Sequence, residues 1–149
     1  MRAPPSLRIR VGVDIVGVER VTRLVSDDDT ILDNVLTKGE RDYCAGKRQR
    51  FAHVAARFAA KEAVLKAFGT GVAKRMAWTD VEIVKGRGGR PEVRLHGEVA
   101  AWAARRGLAD VDVSLSHSAG LAVAQAIAVW HDDEDGSTTR ERPSAIPSD

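Results

Sequence analysis

Two carboxylates, three basic residues and a histidine carry most of the chemical information in this sequence. Glu62 falls inside a regular run from Lys47 to Phe68 in which Phe51, Val54, Ala55, Phe58, Leu65 and Phe68 recur at helical spacing without an internal Gly or Pro. At 100° per residue with Phe51 as zero, Ala55 falls at about +40°, Phe58 at about −20°, Leu65 at about −40° and Glu62 at about +20°. The sequence thus predicts a carboxylate in the middle of an apolar stripe, a position that calls for a hydrogen-bond partner, a cation or a metal. A core ion pair with an Arg or Lys answers that need as well as a metal does. Lys66 lies one turn after Glu62 at the edge of the same face, and Arg57 and Lys61 form another i,i+4 pair to one side.

Asp14 offers a second carboxylate. Ile9, Val11, Val13 and Ile15 alternate with Arg8, Arg10, Gly12 and Asp14, which predicts a half-buried strand with Asp14 on its polar face. Gly12, two residues earlier, lets that backbone approach a ligand closely. One carboxylate from a strand and one from a helix make a plausible oxygen site for Mg²⁺, which uses one or two carboxylates with substrate phosphates and water.

Gly69-Thr70-Gly71 follows the helix directly and precedes Lys74 and Arg75. It reads equally as a loop around a phosphate or adenine and as a glycine C-cap. It lacks the strand-first context and Lys-Ser/Thr of a P-loop. Ser116-His117-Ser118-Ala119-Gly120 is no nucleophile elbow, because Ser116 stands where the first glycine belongs and no helix follows. His117 shares a strand face with Val113 and Leu115, as a structural histidine would. His53, His96 and His131 show no ligand spacing, and one cysteine excludes a Cys-rich zinc site.

The elements that must position these residues are those of one α+β domain. A chain of 149 residues with 44% hydrophobic and 30% charged residues suits a single soluble core, and no apolar run approaches a membrane span. Met1 to Ser6 lacks a signal-peptide core and Cys44 has no cysteine to pair with, so a cytoplasmic location is expected. Helical spacing recurs at Val18, Val21, Leu24 and Val25, and a capping box at Thr37 and Glu40 predicts a short helix. A hairpin is expected at Val81 to Leu95 about Gly86 to Gly89, then a helix from Glu98 to Arg106 and strands from Val111 to His117 and Leu121 to Trp130. A small, largely antiparallel sheet packed on a long helix follows, with residues 1–8 as an N-terminal extension, 9–130 as the domain and 131–149 as a disordered polar tail.

Residues 38 to 75 hold ten Lys or Arg against three acidic residues, which suits a phosphate-rich or acidic partner and equally a solvated helix face. A nucleic-acid-binding module is disfavoured by the sparse aromatics. An acyltransferase would need no metal, which the Asp14/Glu62 pair argues against.

Gly12-Val13-Asp14, the stretch from Arg57 to Gly71 (RFAAKEAVLKAFGTG) and Val113-Ser114-Leu115-Ser116-His117-Ser118 together resemble the holo-acyl-carrier-protein synthases. The likeness covers about residues 9 to 130 and is most specific in K-E-A-x-x-K running into F-G-T-G. It implies a 4′-phosphopantetheinyl transferase-like fold in a homotrimer with active sites at subunit interfaces. It implies that Asp14 and Glu62 hold Mg²⁺ against the coenzyme A pyrophosphate, that Lys66 neutralises charge there and protonates the leaving group, and that Glu62 or a metal-bound water is the base. Arg57 and Lys61 fall where such enzymes place phosphate-contacting or structural basic residues. Gly69, Thr70, Gly71, Ser116 and His117 match positions near coenzyme A, His117 with a catalytic role. Arg20 and Arg23 are expected to dock an acidic acyl carrier protein. Some relatives carry an acidic residue after the histidine, where this chain has Ser118.

Overall fold

The computed structural model describes residues 6–132. In chain order they form β1 (Leu7–Gly17), α1 (Val18–Asp27), α2 (Ile31–Val35), α3 (Lys38–Ala45), α4 (Arg50–Phe68), β2 (Val81–Lys85), β3 (Pro91–Leu95), α5 (Gly97–Arg105), β4 (Leu108–Ser118) and β5 (Leu121–His131). Every strand pairing is antiparallel: a three-stranded sheet ordered β1-β5-β4, and a separate β2-β3 hairpin. The strands run past the expected limits, with Leu7 and Arg8 paired to His131 and Trp130. The tail expected to be disordered lies, from 133 onward, outside the described residues.

Local chemistry sets the ends of these elements. Thr37 accepts from the Glu40 amide and Glu40 accepts from the Thr37 amide, so the capping box at α3 is complete. Gly69 closes α4 at φ 76°, its amide bonding back to Lys66. Ala119 and Gly120, at φ 52° and 77°, make the tight turn between β4 and β5, and two consecutive positive φ values match the right-handed strand twist.

The 19-residue α4 lies across β1, β5 and β4 and is buried nearly all round, by the sheet on one side and α1, α3 and β2 on others. Helix and sheet can approach so closely because their facing residues are small. Ala122, Ala124, Ala126 and Ala128 of β5 are fully buried against a helix carrying Ala55, Ala59, Ala60 and Ala63, also fully buried. At the helix end Phe68 stacks on Trp102 and meets Trp130 edge-on.

Two expectations about faces are corrected. The apolar face of β1 is outward: Ile9, Val11, Val13 and Ile15 are 54–62% exposed, while Gly12, Asp14 and Val16 face α4. The helix needs a strand without bulk beneath it, and only the Gly12 face supplies that. On α4 the expected stripe is buried at Ala55 and Leu65 but only half-buried at Phe51, Phe58 and Glu62, and the helix is enclosed on its other sides as well, at further alanines, Val64 and Lys61.

Candidate functional site

Asp14 and Lys66 meet where β1 passes α4. The Lys66 ammonium donates to the Asp14 carboxylate at 3.0 Å and to the Val13 carbonyl at 3.1 Å. Asp14 is mostly covered and Lys66 partly open to solvent. Glu62 sits one turn before Lys66, half-buried on the same side of the helix. Gly12 makes this proximity possible, approaching α4 rather than a ligand as the sequence had suggested: a Cβ there would overlap the Ala63 carbonyl oxygen. The arrangement presents two carboxylates and an ammonium, open on one side. Among the described residues no cluster of three or more His, Cys, Asp or Glu could hold a metal. Two carboxylates with no nitrogen or sulfur ligand fit Mg²⁺, which completes its shell with water and phosphate oxygens, and do not fit Zn²⁺.

Arg57, Ser116 and His117 lie on the opposite side of α4. His53 and Arg57 are one turn apart, and nine residues from His53 to Glu62 turn the helix through about 180°. Arg57 is 7% exposed, its guanidinium 4.0 Å from the centre of the Tyr43 ring, and its Nε has no hydrogen-bond partner among the described residues. His53 lies between Tyr43 and His117, with ring centres 5.9 and 5.3 Å away. These residues, with Lys85 and Ser116, line a cleft of about 240 Å³. His117 also borders a wider cleft of about 640 Å³ between α1 and the start of α4, with Thr22, Arg48, Arg50 and Ser118.

Electrostatics on this side favour an anion. Burial, followed by the neighbouring His117, Arg57 and Lys47, holds the His53 imidazole below its ordinary pKa, so His53 tends to be neutral among cations. Arg48, Arg50, Lys47, Lys85 and Arg57 leave the surroundings strongly positive.

Lys61 is placed elsewhere than a coenzyme contact requires. Its side chain is fully buried, paired with Glu40 at 2.7 Å and donating also to the Trp78 and Val81 carbonyls. Glu40 in turn accepts from the amides of Thr37 and Ile83, so the pair ties α3, α4 and β2 together. Burial lowers the Lys61 pKa while Glu40 raises it in opposition. Of the two alternatives for this residue the structural one fits: a fully enclosed ammonium cannot touch a ligand. A core ion pair is thus present on this helix at Lys61, one residue before Glu62.

The remaining candidates are at the surface. Thr70 donates to the Gly71 carbonyl in the loop after α4. Arg20 and Arg23 are exposed on α1, with Arg23 3.2 Å from Glu19. Sequence spacing had set His53 aside, had missed Tyr43, and had read Glu40 as a helix cap without its pairing to Lys61. The i,i+4 relation of His53 to Arg57 was the available signal for the first; the other two depend on how α3 docks.

Within the sheet, Asp14 and His117 face the same side but on β1 and β4, the two strands flanking β5. Two strand spacings, about 10 Å, and the body of α4 lie between them. One chain thus divides the expected site into a carboxylate–ammonium half and a histidine–arginine half.

Comparison with known proteins bears on this arrangement. Residues 10–126 match the model of the 4′-phosphopantetheinyl transferase superfamily. The chain is 45% identical over 117 residues to the holo-[acyl-carrier-protein] synthase of Geotalea daltonii, covering 78% of this chain and 94% of that protein. It is 50% identical over 121 residues to that of Desulforudis audaxviator, covering 80% and 91%. Among solved structures, the Helicobacter pylori holo-[acyl-carrier-protein] synthase in complex with coenzyme A superposes with a TM-score of 0.70 at 28% identity, covering 79% of this chain and 98% of that one. The Neisseria meningitidis synthase gives 0.74 at 28% identity, covering 80% and 96%. With the family model spanning residues 10–126 and relatives of 45–50% identity matched over more than nine-tenths of their own length, this chain belongs to the holo-acyl-carrier-protein synthases of the 4′-phosphopantetheinyl transferase superfamily.

Proposed function

We propose that the protein transfers 4′-phosphopantetheine from coenzyme A to a serine of an apo acyl carrier protein in a Mg²⁺-dependent reaction that releases adenosine 3′,5′-bisphosphate. The observation that carries this reading is the meeting of Asp14 and Lys66 with Glu62 one turn away. Two carboxylates suit a hard divalent cation, and an ammonium beside them suits a pyrophosphate. Asp14 and Glu62 would hold the Mg²⁺, which when bound neutralises phosphate charge.

The chain's own residues supply the rest. The serine oxygen forms a bond to the β-phosphorus as the bond from that phosphorus to the bridging oxygen of the leaving nucleotide breaks. Lys66, already donating to two oxygens and partly exposed, stabilises the charge gathering on that leaving oxygen and can pass it a proton. Glu62, as the neighbouring carboxylate, takes the serine proton in this reading. Arg57, Ser116 and His117 receive the nucleotide end of coenzyme A, with Gly69, Thr70 and Gly71 as the loop beside it.

The division of the site by α4 favours a homotrimer in which one subunit's Asp14–Lys66 half works with a neighbour's His117 half. The exposed face of Ile9, Val11, Val13 and Ile15, continued by Leu121 and Ile127, supplies an apolar surface for such an assembly. Arg20 and Arg23, exposed on α1, supply the positive charge to steer an acidic carrier protein. Incubation with coenzyme A, Mg²⁺ and an apo carrier protein, followed by intact-mass measurement, tests the reading. A gain of one phosphopantetheine on the carrier supports it; an unmodified carrier with the chain folded overturns it.

A further inference from the structure

We infer that His53 is a positioning residue for His117, setting the direction of that imidazole toward the phosphate-bearing end of the substrate. The inference rests on the proposed reaction with coenzyme A for the identity of the ligand and on geometry for the rest. His117 is exposed, next to last on β4 and three residues before Gly120, and it borders both clefts. No side-chain hydrogen bond among the described residues fixes its ring, so its rotamer freedom must be restrained in some other way. The ring that meets it is His53, edge-to-face at 5.3 Å and 68°. His53 is itself backed by Tyr43, also edge-on, and Tyr43 is clamped by the Arg57 guanidinium. The chain of contacts runs from rigid α3 and α4 to an otherwise loosely held side chain. Ser118, the next residue on the strand, makes no side-chain hydrogen bond to the ring among the described residues, so the imidazole takes its bearing from the helix.

Charge favours the same assignment. The groups facing His53 are Tyr43 on α3, Lys47 in the loop that follows, Arg57 on its own helix and His117 on β4, with Lys85 of β2 on the same cleft. Burial and these cations disfavour a proton on His53. A neutral ring at that place adds no charge of its own beside His117 when a phosphate arrives.

The test compares wild type, H53A and H53F by NMR of the His117 imidazole, with and without adenosine 3′,5′-bisphosphate, and by steady-state transfer. Phenylalanine keeps the edge-to-face packing and removes the ring nitrogens; alanine removes the ring. In H53A the His117 signals should move and respond less to the nucleotide. KM for coenzyme A should rise about two- to tenfold, the range an edge-to-face ring pair supplies. The kcat should stay within about twofold, since the ring takes no part in bond-making. H53F should restore both readouts. Unchanged His117 signals in H53A, a loss confined to kcat, or an H53F protein that is folded but no better than H53A overturns the inference. Should H53A fail to fold, H53Q, which keeps bulk without the aromatic ring, takes its place. A wild type that transfers nothing refutes the proposed function, while the His117 spectra still decide the positioning.

Discussion

Gly12 of β1 lies directly against the Ala63 carbonyl of α4, with no room between them for a Cβ, which would also come within 2.8 Å of the Ala67 nitrogen. This contact sets how far Asp14 stands from Lys66 and Glu62, since all three sit within two residues of strand or one turn of helix from it. A single methyl group at Gly12 would push the strand off the helix. Gly12→Ala should therefore cost about 1–3 kcal/mol or more by urea unfolding, the range for overpacking a tight core. In its folded fraction transfer should fall as well, because the carboxylates separate; normal stability with normal activity would show that the backbones do not pack this closely.

Lys61 and Glu40 should behave as structure rather than as substrate contacts. Lys61→Met leaves a buried carboxylate without its cation and should destabilise by about 3–5 kcal/mol. Adding Glu40→Gln, which removes the charge and keeps an acceptor for one of the Thr37 and Ile83 amides, should recover part of that loss. Under conditions where the variants are folded, KM for coenzyme A should match wild type. A raised KM without loss of stability would return Lys61 to the substrate site.

Glu62→Gln preserves shape and removes charge. Phosphopantetheine transfer should drop by about 10²–10⁴-fold, the range for loss of an acid–base group. Mg²⁺ with coenzyme A should raise the melting temperature of wild type by mass action and that of the variant much less. Equal thermal shifts in the two proteins would remove Glu62 from the metal site.

The outward face of β1 should hold the assembly together. Light scattering of wild type should give three times the chain mass, and the double variant Val13→Glu/Ile15→Lys should give a monomer with little activity. Glu62→Gln and His117→Ala proteins, each inactive, should regain part of the activity when dissociated and reassembled together, because mixed trimers contain intact composite sites. A monomeric wild type would sink the shared-site model.

His53 also predicts a pH dependence of stability. Its folded pKa lies below the ordinary value, so the unfolded chain binds the proton first. Stability is then fully present above the unfolded pKa of about 6.5 and is lost as pH falls through the folded value. Unfolding midpoints measured from pH 7.5 down to 5 should decline, and His53→Phe should flatten that decline. An identical slope in the variant would mean that other groups cause it.

Much of this protein is legible from local signals. The Thr37–Glu40 capping box, the glycine after Phe68, the hairpin about Gly86 to Gly89 and the uninterrupted run of α4 depend on residues within one or two turns of each other, and such interactions form as the pattern predicts. The motif carrying Asp14, Glu62 and Lys66 was likewise readable, because residue type and order alone reveal it. Tertiary structure decided which face of each element points inward. Alternation in β1 predicted Ile9 to Ile15 inside, yet the helix needs the small Gly12 face beneath it, and the apolar residues are left outward. On α4 burial follows the elements docked around the helix, so Lys61 is enclosed with Glu40 from 21 residues away while Glu62 stays half-buried. The juxtaposition of His53 with Tyr43 and His117 depends on α3 and β4 arriving at the same side of the helix, and helical periodicity within 47–68 contains no information about that arrival.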